Sequence, residues 1–287
     1  MTAEGFSGPW PAPAKLNLFL HVTGRRADGL HELQTVFQFL DYVDQLWFSV
    51  TDRPGVCLEG GVAGIPQQQD LIVRAARRLI QASGFAGGAS IRVVKRIPSG
   101  GGLGGGSSDA ATTLVALNSL WRLGFDLDEL AALGLELGAD VPVFVRGLAS
   151  WAEGVGDQLT PIEGLQERWC VVVDPAVSVS TAEIFSDPEL TRNARRIKIP
   201  DFVSGVCVNQ LEPVVIRRYP QVGEALNWLT DFGQARMSGS GACVYICFKA
   251  RQAAESVLQQ LPPHWNGFVA RTCNRSPLFE KLTELCT

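Results

Sequence analysis

The sequence predicts an α+β chain in two units. Three observations carry that reading. A strictly alternating run, Lys15 to Val22, stands near the N-terminus. A second alternating run, Ala89 to Ile97, leads into a glycine-rich loop and then an apolar helical pattern. After Thr160-Pro161 the pattern of strands and helices starts afresh, which puts a boundary near Thr160 to Gly164 and the units at 1–162 and 163–287.

Pro11 to Pro13 reads as a rigid lead-in. In the strand that follows, Leu16, Leu18 and Leu20 share one face, while Lys15, Asn17, Phe19 and His21 share the other. Lys15 is either an exposed edge charge or a site residue. Thr23 to His31 is a polar turn. Glu32–Leu40 and Gln45–Thr51 read as strands joined by a turn at Asp41–Asp44, and Val56–Leu58 as a short strand. Asp70 caps a helix over Leu71–Ala82, whose Ile72, Ala75, Ala76, Leu79 and Ile80 form one apolar stripe. Gly84 stops it.

Next come six glycines in the window Gly100 to Gly106, broken only by Leu103. Glycine lets the backbone approach a ligand with no Cβ in the way. Ser107, Ser108 and Asp109 are good capping residues for the helix beyond. Free N–H groups at a helix start favour an anion such as phosphate. The loop therefore reads as a phosphate cradle, against the alternative of a flexible linker or tight turn. It is not a Walker loop, because Gly106 is followed by Ser107 and not by lysine. It is not a dinucleotide fingerprint, because no acidic residue closes a second strand about 20 residues on.

The loop's helix continues over Ala110–Leu123 with Leu114, Leu117, Leu120 and Trp121 inward. Asp128 reads as the cap of a helix carrying Leu130, Leu133 and Leu137 and ending at Gly138. Asp140 then falls between that helix end and an apolar strand, with Pro142 preventing further helix. It is either a cap or turn residue or a general base or metal ligand. In the second unit, Trp169–Val173 and Gly267–Thr272 read as strands. Thr181–Phe185, Val206–Arg217, Val222–Phe232, Gln252–Leu261 and Ser276–Leu285 read as helices. A small-residue turn, Ser238 to Gly241, precedes an apolar strand that ends at Phe248.

Composition narrows the function. The 287 residues are 46% hydrophobic and 19% charged, with a net charge of −4 and no basic patch, which argues against nucleic acid. Seven cysteines with no C-x-x-C pair argue against a disulfide framework and for a reducing compartment. Three histidines without ligand spacing argue against zinc. The N-terminus reads as neither signal nor transit peptide, and no stretch nears the roughly 18 apolar residues of a membrane span. The expectation is a cytoplasmic protein with no membrane partner.

PAKLNL at Pro13, PSGGGLGGGSSDAA at Pro98 and MSGSGAC at Met237 resemble, in that order, three motifs of the galactokinase, homoserine kinase, mevalonate kinase and phosphomevalonate kinase (GHMP kinase) superfamily. Within it, PAKLNLFLHVTGRRADGLHELQTVFQFLD, GADVPVFVRG, AEGVGDQLTPI and GFVARTCNRSPL are similar to the 4-diphosphocytidyl-2-C-methyl-D-erythritol kinases, so that the resemblance covers nearly the whole chain. It implies a two-domain GHMP-kinase-like α+β fold, with an N-terminal nucleotide-binding domain, a C-terminal ferredoxin-like domain and the site in the cleft between. It also implies ATP-dependent phosphorylation of the 2-hydroxyl of a small cytidine diphosphate derivative of methylerythritol, in non-mevalonate isoprenoid synthesis.

Matched residue by residue, Asp140 corresponds to the family's catalytic aspartate and Lys15 to its paired lysine. The resemblance implies that the aspartate would accept the hydroxyl proton and that the lysine would hold it ionised. Pro98, Gly100, Gly101, Gly102, Leu103, Gly104, Gly105, Gly106, Ser107 and Ser108 would hold the ATP phosphates. Magnesium (Mg2+) would bridge the β- and γ-phosphates. Ser108, Asp109 and a purely phosphate- and water-bound ion stay open as its holders. Lys95 matches a position near the nucleotide base, with an exposed strand-end lysine as the alternative. Gly239, Ser240 and Gly241 would close over the reacting phosphate. Asn17 falls beside the acceptor and His31 beside cytosine, with Phe185 against the base and Thr181 one helical turn earlier. The main departure is Leu30, where the family commonly has a stacking tyrosine. A related kinase with another acceptor and a non-catalytic ATP-binding protein are the alternatives. A monomer or weak homodimer is expected.

Overall fold

The structure, a computed structural model, describes residues 5–62, 64–203 and 208–286. Its elements run β1 (Ser7–Arg25), β2 (His31–Thr51), β3 (Gly55–Glu59), α1 (Leu71–Ser83), β4 (Gly88–Val94), α2 (Gly105–Trp121), α3 (Leu127–Leu135), α4 (Val141–Arg146), β5 (Ser150–Glu153) and β6 (Gln158–Pro161). They continue with β7 (Trp169–Asp174), α5 (Thr181–Ser186), α6 (Ile199–Val203), α7 (Glu212–Arg218), α8 (Pro220–Thr230), β8 (Arg236–Met237), β9 (Val244–Phe248), α9 (Arg251–Leu258), β10 (Asn266–Cys273) and α10 (Pro277–Cys286).

The strands form one mixed sheet in the order β3-β4-β2-β10-β7-β9-β8, with β1 and β5 also on β2, and β6 on β5. β3 and β4 are parallel, and α1 supplies the crossover such a pair needs. β10 reaches β2 at Leu40 and Phe39, so the two halves share backbone hydrogen bonds. One core lies under β1, β2 and β4, built from residues such as Phe39, Phe48, Leu79, Leu114 and Phe144. α10 contributes Leu278 to it from the far end of the chain. A second core gathers Val171, Ile184, Val215, Leu229 and Val244. A third, with Leu16, Ile97, Leu103, Val172 and Tyr245, joins the two halves.

The α+β reading holds, with local corrections. Pro11 and Pro13 lie within β1, opposite Gln45 and Val43. Proline, which has no N–H, is tolerated in a strand at an edge, and among the described strands β1 pairs with β2 alone. The turn expected at Asp41–Asp44 is absent. β2 runs unbroken for 21 residues, because Asp44 is fully buried and accepts the backbone N–H groups of Arg96 and Ile97. α2 starts at Gly105 with Gly104 as its cap at φ 74°, so Ser107, Ser108 and Asp109 lie inside the helix and do not cap it. A Cβ on Gly104 would sit 2.8 Å from the Phe144 ring, so only glycine fits there. Asp126, not Asp128, caps α3, in a capping box with Glu129. Val141–Arg146 is helix and not strand, since Pro142 occupies the first turn, where its missing N–H costs nothing.

Four short elements, β5, β6, α6 and β8, were not expected from the sequence. In the helix predicted over Val206–Arg217, residues 206 and 207 lie outside the described residues, and helix begins only at Glu212. Cysteine usage also needs correcting. Cys170 on β7 and Cys247 on β9 face each other in the antiparallel register, with Cα atoms 4.0 Å apart, and form a disulfide. Pairs made by strand register leave no mark in sequence spacing.

Candidate active site

The middle of β1, the glycine loop, the start of α4 and the Ser238–Gly241 turn line one cavity of about 520 Å³. Leu33, Thr35 and Phe37 line it at period two along β2. Lys15 is buried at the cavity wall. Its ammonium donates to Gly102 O at 3.0 Å and to Asn17 Oδ1, and lies 3.3 Å from Asp140 Oδ2. Three partners match its three protons. Lys15 is therefore buried at the cavity wall and not an exposed edge charge. Asp140 stands at the N-cap position of α4 but makes no capping bond. Its side chain is 34% exposed and faces the cavity, free to meet a ligand. Asn17 donates from Nδ2 to Thr35 Oγ1 at 2.9 Å, and its carbonyl accepts from Tyr245 OH at 3.0 Å.

The loop is pinned to the second half of the chain. Ala242 N–H donates to Gly100 O at 3.2 Å, Cys243 N–H to Gly101 O at 3.1 Å, and Ser238 Oγ to Gly102 O at 3.1 Å. Gly102 has φ 72°, and a Cβ there would lie 2.1 Å from Ser238 O. The approach of the two halves thus depends on glycine at this position. Beneath the loop, Lys95 bridges Asp44 and Asp109. Burial pulls the ammonium pKa down, but Asp109 and Asp44 outweigh it, and the pKa ends above its ordinary value. Burial pushes Asp109 up to about 8, against the pull of Lys95, with Asp44 adding repulsion. The alternative of an exposed strand-end Lys95 falls. Ser108 Oγ and Asp109 Oδ1 are buried with no hydrogen-bond partner among the described residues.

A second cavity, of about 900 Å³, adjoins the first and shares Leu33, Ala139, Val155, Thr181 and Phe185 with it. Leu30 and His31 line it. The His31 and Phe185 rings lie 5.1 Å apart, tilted by 33°. Arg192 Nε donates to His31 Nε2 at 3.0 Å. Thr181 Oγ1 and Ser240 Oγ are 2.7 Å apart, a bond between the α5 start and the Ser238–Gly241 turn.

The models for the GHMP kinases N terminal domain and the GHMP kinases C terminal domain match residues 70–148 and 191–267. A 4-diphosphocytidyl-2-C-methyl-D-erythritol kinase of Halorhodospira halophila is 56% identical over 96% of both chains. One from Pseudomonas aeruginosa is 56% identical over 96% of this chain and 97% of its own. The chain belongs to the 4-diphosphocytidyl-2-C-methyl-D-erythritol kinase family, within the GHMP kinases. A crystal structure of 4-(cytidine 5'-diphospho)-2C-methyl-D-erythritol kinase superposes with a TM-score of 0.79 at 33% identity, covering 91% of this chain and 98% of that one. Homoserine kinase from Cytophaga hutchinsonii shares the fold, with a TM-score of 0.70 at 15% identity over 96% and 97% of the two chains.

In this kinase, the first cavity gathers Lys15, Asn17, Lys95, Pro98, Gly100 to Ser107, Asp140, Thr181, Phe185, Gly239 and Ser240. Ser108 and Asp109 lie beneath the loop, and Gly241 lies behind it, without lining either cavity. His31 lines only the second. Asp44 escaped the sequence reading because Asp in D-Y-V-D looks like turn chemistry. Arg192 escaped it because its partner is 161 positions away. No helix among the described residues is long and apolar enough to cross a membrane.

Proposed function

We propose that the kinase transfers the γ-phosphoryl group of ATP to the 2-hydroxyl of 4-diphosphocytidyl-2-C-methyl-D-erythritol, giving the 2-phosphate and ADP. The observation that carries this is the Lys15–Asp140 pair, 3.3 Å apart at the wall of the cavity that the glycine loop encloses. As the bond from the acceptor oxygen to the γ-phosphorus forms and the bridge to the β-phosphate breaks, Asp140 accepts the hydroxyl proton. Lys15 pairs with Asp140 and offers positive charge to the transferring phosphoryl oxygens. Backbone N–H groups of Gly100 to Ser107 and of the start of α2 hold the nucleotide phosphates. Gly239 and Ser240 cover them from the other half of the chain, with Gly241 shaping that turn.

When bound with ATP, magnesium would supply positive charge to the nucleotide phosphates. Among the described residues no cluster of three His, Cys, Asp or Glu side chains could hold a metal ion. Phosphate oxygens and water therefore fit most of its positions. Lys95 engages only Oδ2 of Asp109, and Asp109 Oδ1 and the Ser108 hydroxyl are both buried without a partner among the described residues, so these two side chains would be the ones for the purpose. Lys95 shapes the nucleotide side of the cavity from below the loop. The cytidine end of the acceptor occupies the second cavity, with Phe185, His31 and Leu30 around the base and Asn17 and Thr181 along the way.

Residues 1–162 form the nucleotide unit and 163–287 its partner, with a cytoplasmic monomer or weak homodimer as the working form. ADP release from purified protein with ATP, magnesium and this acceptor is the test. Release only in the presence of acceptor supports the reading. Folded protein that binds ATP but stays silent overturns it.

A further inference from the structure

Arg192 follows α5 and is held by three backbone carbonyls. Its Nη1 donates to Leu190 O at 3.1 Å, and its Nη2 donates to Phe185 O at 2.9 Å and Asp187 O at 2.7 Å. With the guanidinium plane fixed, Nε points its hydrogen at His31 Nε2, 3.0 Å away. A guanidinium has donors only and stays charged at any relevant pH. His31 Nε2 must then present a lone pair, so the ring is neutral and its proton sits on Nδ1. No described residue partners Nδ1, and the ring borders the second cavity. The charged groups around it are Arg25, paired with it across β1 and β2, Arg192, and Arg26 and Asp157 on the cavity wall. Burial, then Arg192, then Arg25 hold the His31 pKa below its ordinary 6.5, so the neutral form persists into mildly acidic solution.

We infer that Arg192 is a positioning residue that locks His31 in its Nδ1–H tautomer, so that His31 meets the acceptor's nucleobase as a hydrogen-bond donor. This rests on the reading of the second cavity as the cytidine site. Cytosine fits such a donor, because its ring N3 and its O2 are both acceptors, whereas N3 of uracil carries a hydrogen. Without Arg192 the neutral ring divides between two tautomers, and part of the population turns a lone pair toward the base.

The first measurement is nitrogen NMR of the histidine rings in the whole kinase, which has three histidines. His31 is assigned by its loss in His31→Gln. The wild type should show the Nδ1–H form, and Arg192→Met a mixture. A wild-type ring protonated on Nε2 overturns the inference whatever the substrate proves to be. The second measurement is acceptor affinity by calorimetry between pH 5.5 and 8. The wild type should be nearly flat. Arg192→Met should bind about fivefold more weakly at pH 8, the scale of one lost hydrogen bond. It should recover toward the acid end of that range, where imidazolium carries a proton on both nitrogens. Damage to folding alone would not be mended by acid. Loss without acid recovery therefore overturns the donor role, and Arg192→Lys, which keeps a donor and a charge, should fall between. An acceptor that fails to bind the wild type while the Nδ1–H form is present would count against the cytidine reading and not against the tautomer.

Discussion

Replacing Asp140 by asparagine removes one charge and keeps the shape. In the native pair the carboxylate lies 3.3 Å from an ammonium. At that distance two unit charges attract by about 5 kcal/mol at an effective dielectric near 20 and about 1.3 kcal/mol in bulk water. With 34% of the Asp140 side chain exposed, the pair sits between these limits. Lys15 keeps Asn17 Oδ1 and Gly102 O after the change, so its buried ammonium is not orphaned. The stability cost should be about 1–2 kcal/mol, the loss of one charge-assisted partner, seen as a fall in Tm of a few degrees. The rate effect should be far larger. An amide cannot accept the hydroxyl proton, and a positioned base contributes about a hundred- to ten-thousandfold. KM for ATP and acceptor should move only a few-fold, because the proton is taken in the transition state. Coupled ADP-release kinetics beside thermal unfolding would measure both. A folded Asp140→Asn protein retaining more than about a tenth of wild-type kcat would refute the assignment of Asp140 as base.

Other outcomes follow from the same geometry. Gly102→Ala places a Cβ 2.1 Å from Ser238 O at a φ of 72°, so the loop must shift and ATP affinity should collapse, as nucleotide titration would show. Wild-type affinity would mean the loop does not cradle phosphate. Asp109 holds its proton up to about 8 when folded but only to its ordinary 3.8 when unfolded. Between these values the folded chain binds the extra proton, so stability falls as pH rises through that window. Asn cannot titrate, so Asp109→Asn should gain on the wild type from pH 5 to pH 8, by at most about 1.4 kcal/mol per pH unit. Parallel curves of Tm against pH would sink this. Leu30 is 53% exposed on the second cavity, and Leu30→Tyr adds a stacking face worth about 1–3 kcal/mol against a base, of which Leu already supplies part. KM for the acceptor should drop several-fold, and an unchanged or higher KM would place the base elsewhere.

Much of the site was legible because it is written in local chemistry. The alternation around Lys15 marks a strand whose polar face is out of place, and the glycine run marks a close backbone approach. The structure turns both into contacts, with Lys15 under the loop and Gly102 against Ser238. Sequence reasoning failed where a distant partner overrides a local preference. Asp44 looks like a turn residue, yet buried N–H groups at Arg96 and Ile97 and the Lys95 charge hold it in the sheet. Ser107 to Asp109 look like caps, yet the crowding by Phe144 demands glycine one turn earlier. Pro142 looks like a helix breaker, yet it begins a helix. The link from Arg192 to His31 has no local signature at all.

β2 carries a further consequence for how such kinases can vary in length. Its one uninterrupted run bears His31 at its start and Asp44 about two-thirds of the way along, about 43 Å of contour apart at 3.3 Å per residue. Leu33, Thr35 and Phe37 keep a strict two-step phase along it. One residue gained or lost between them would turn this row of side chains to the opposite face of the sheet. The strand behaves as a gauge with fixed graduations: a change of length is tolerated outside β2, in a segment such as 162–168, far better than within it.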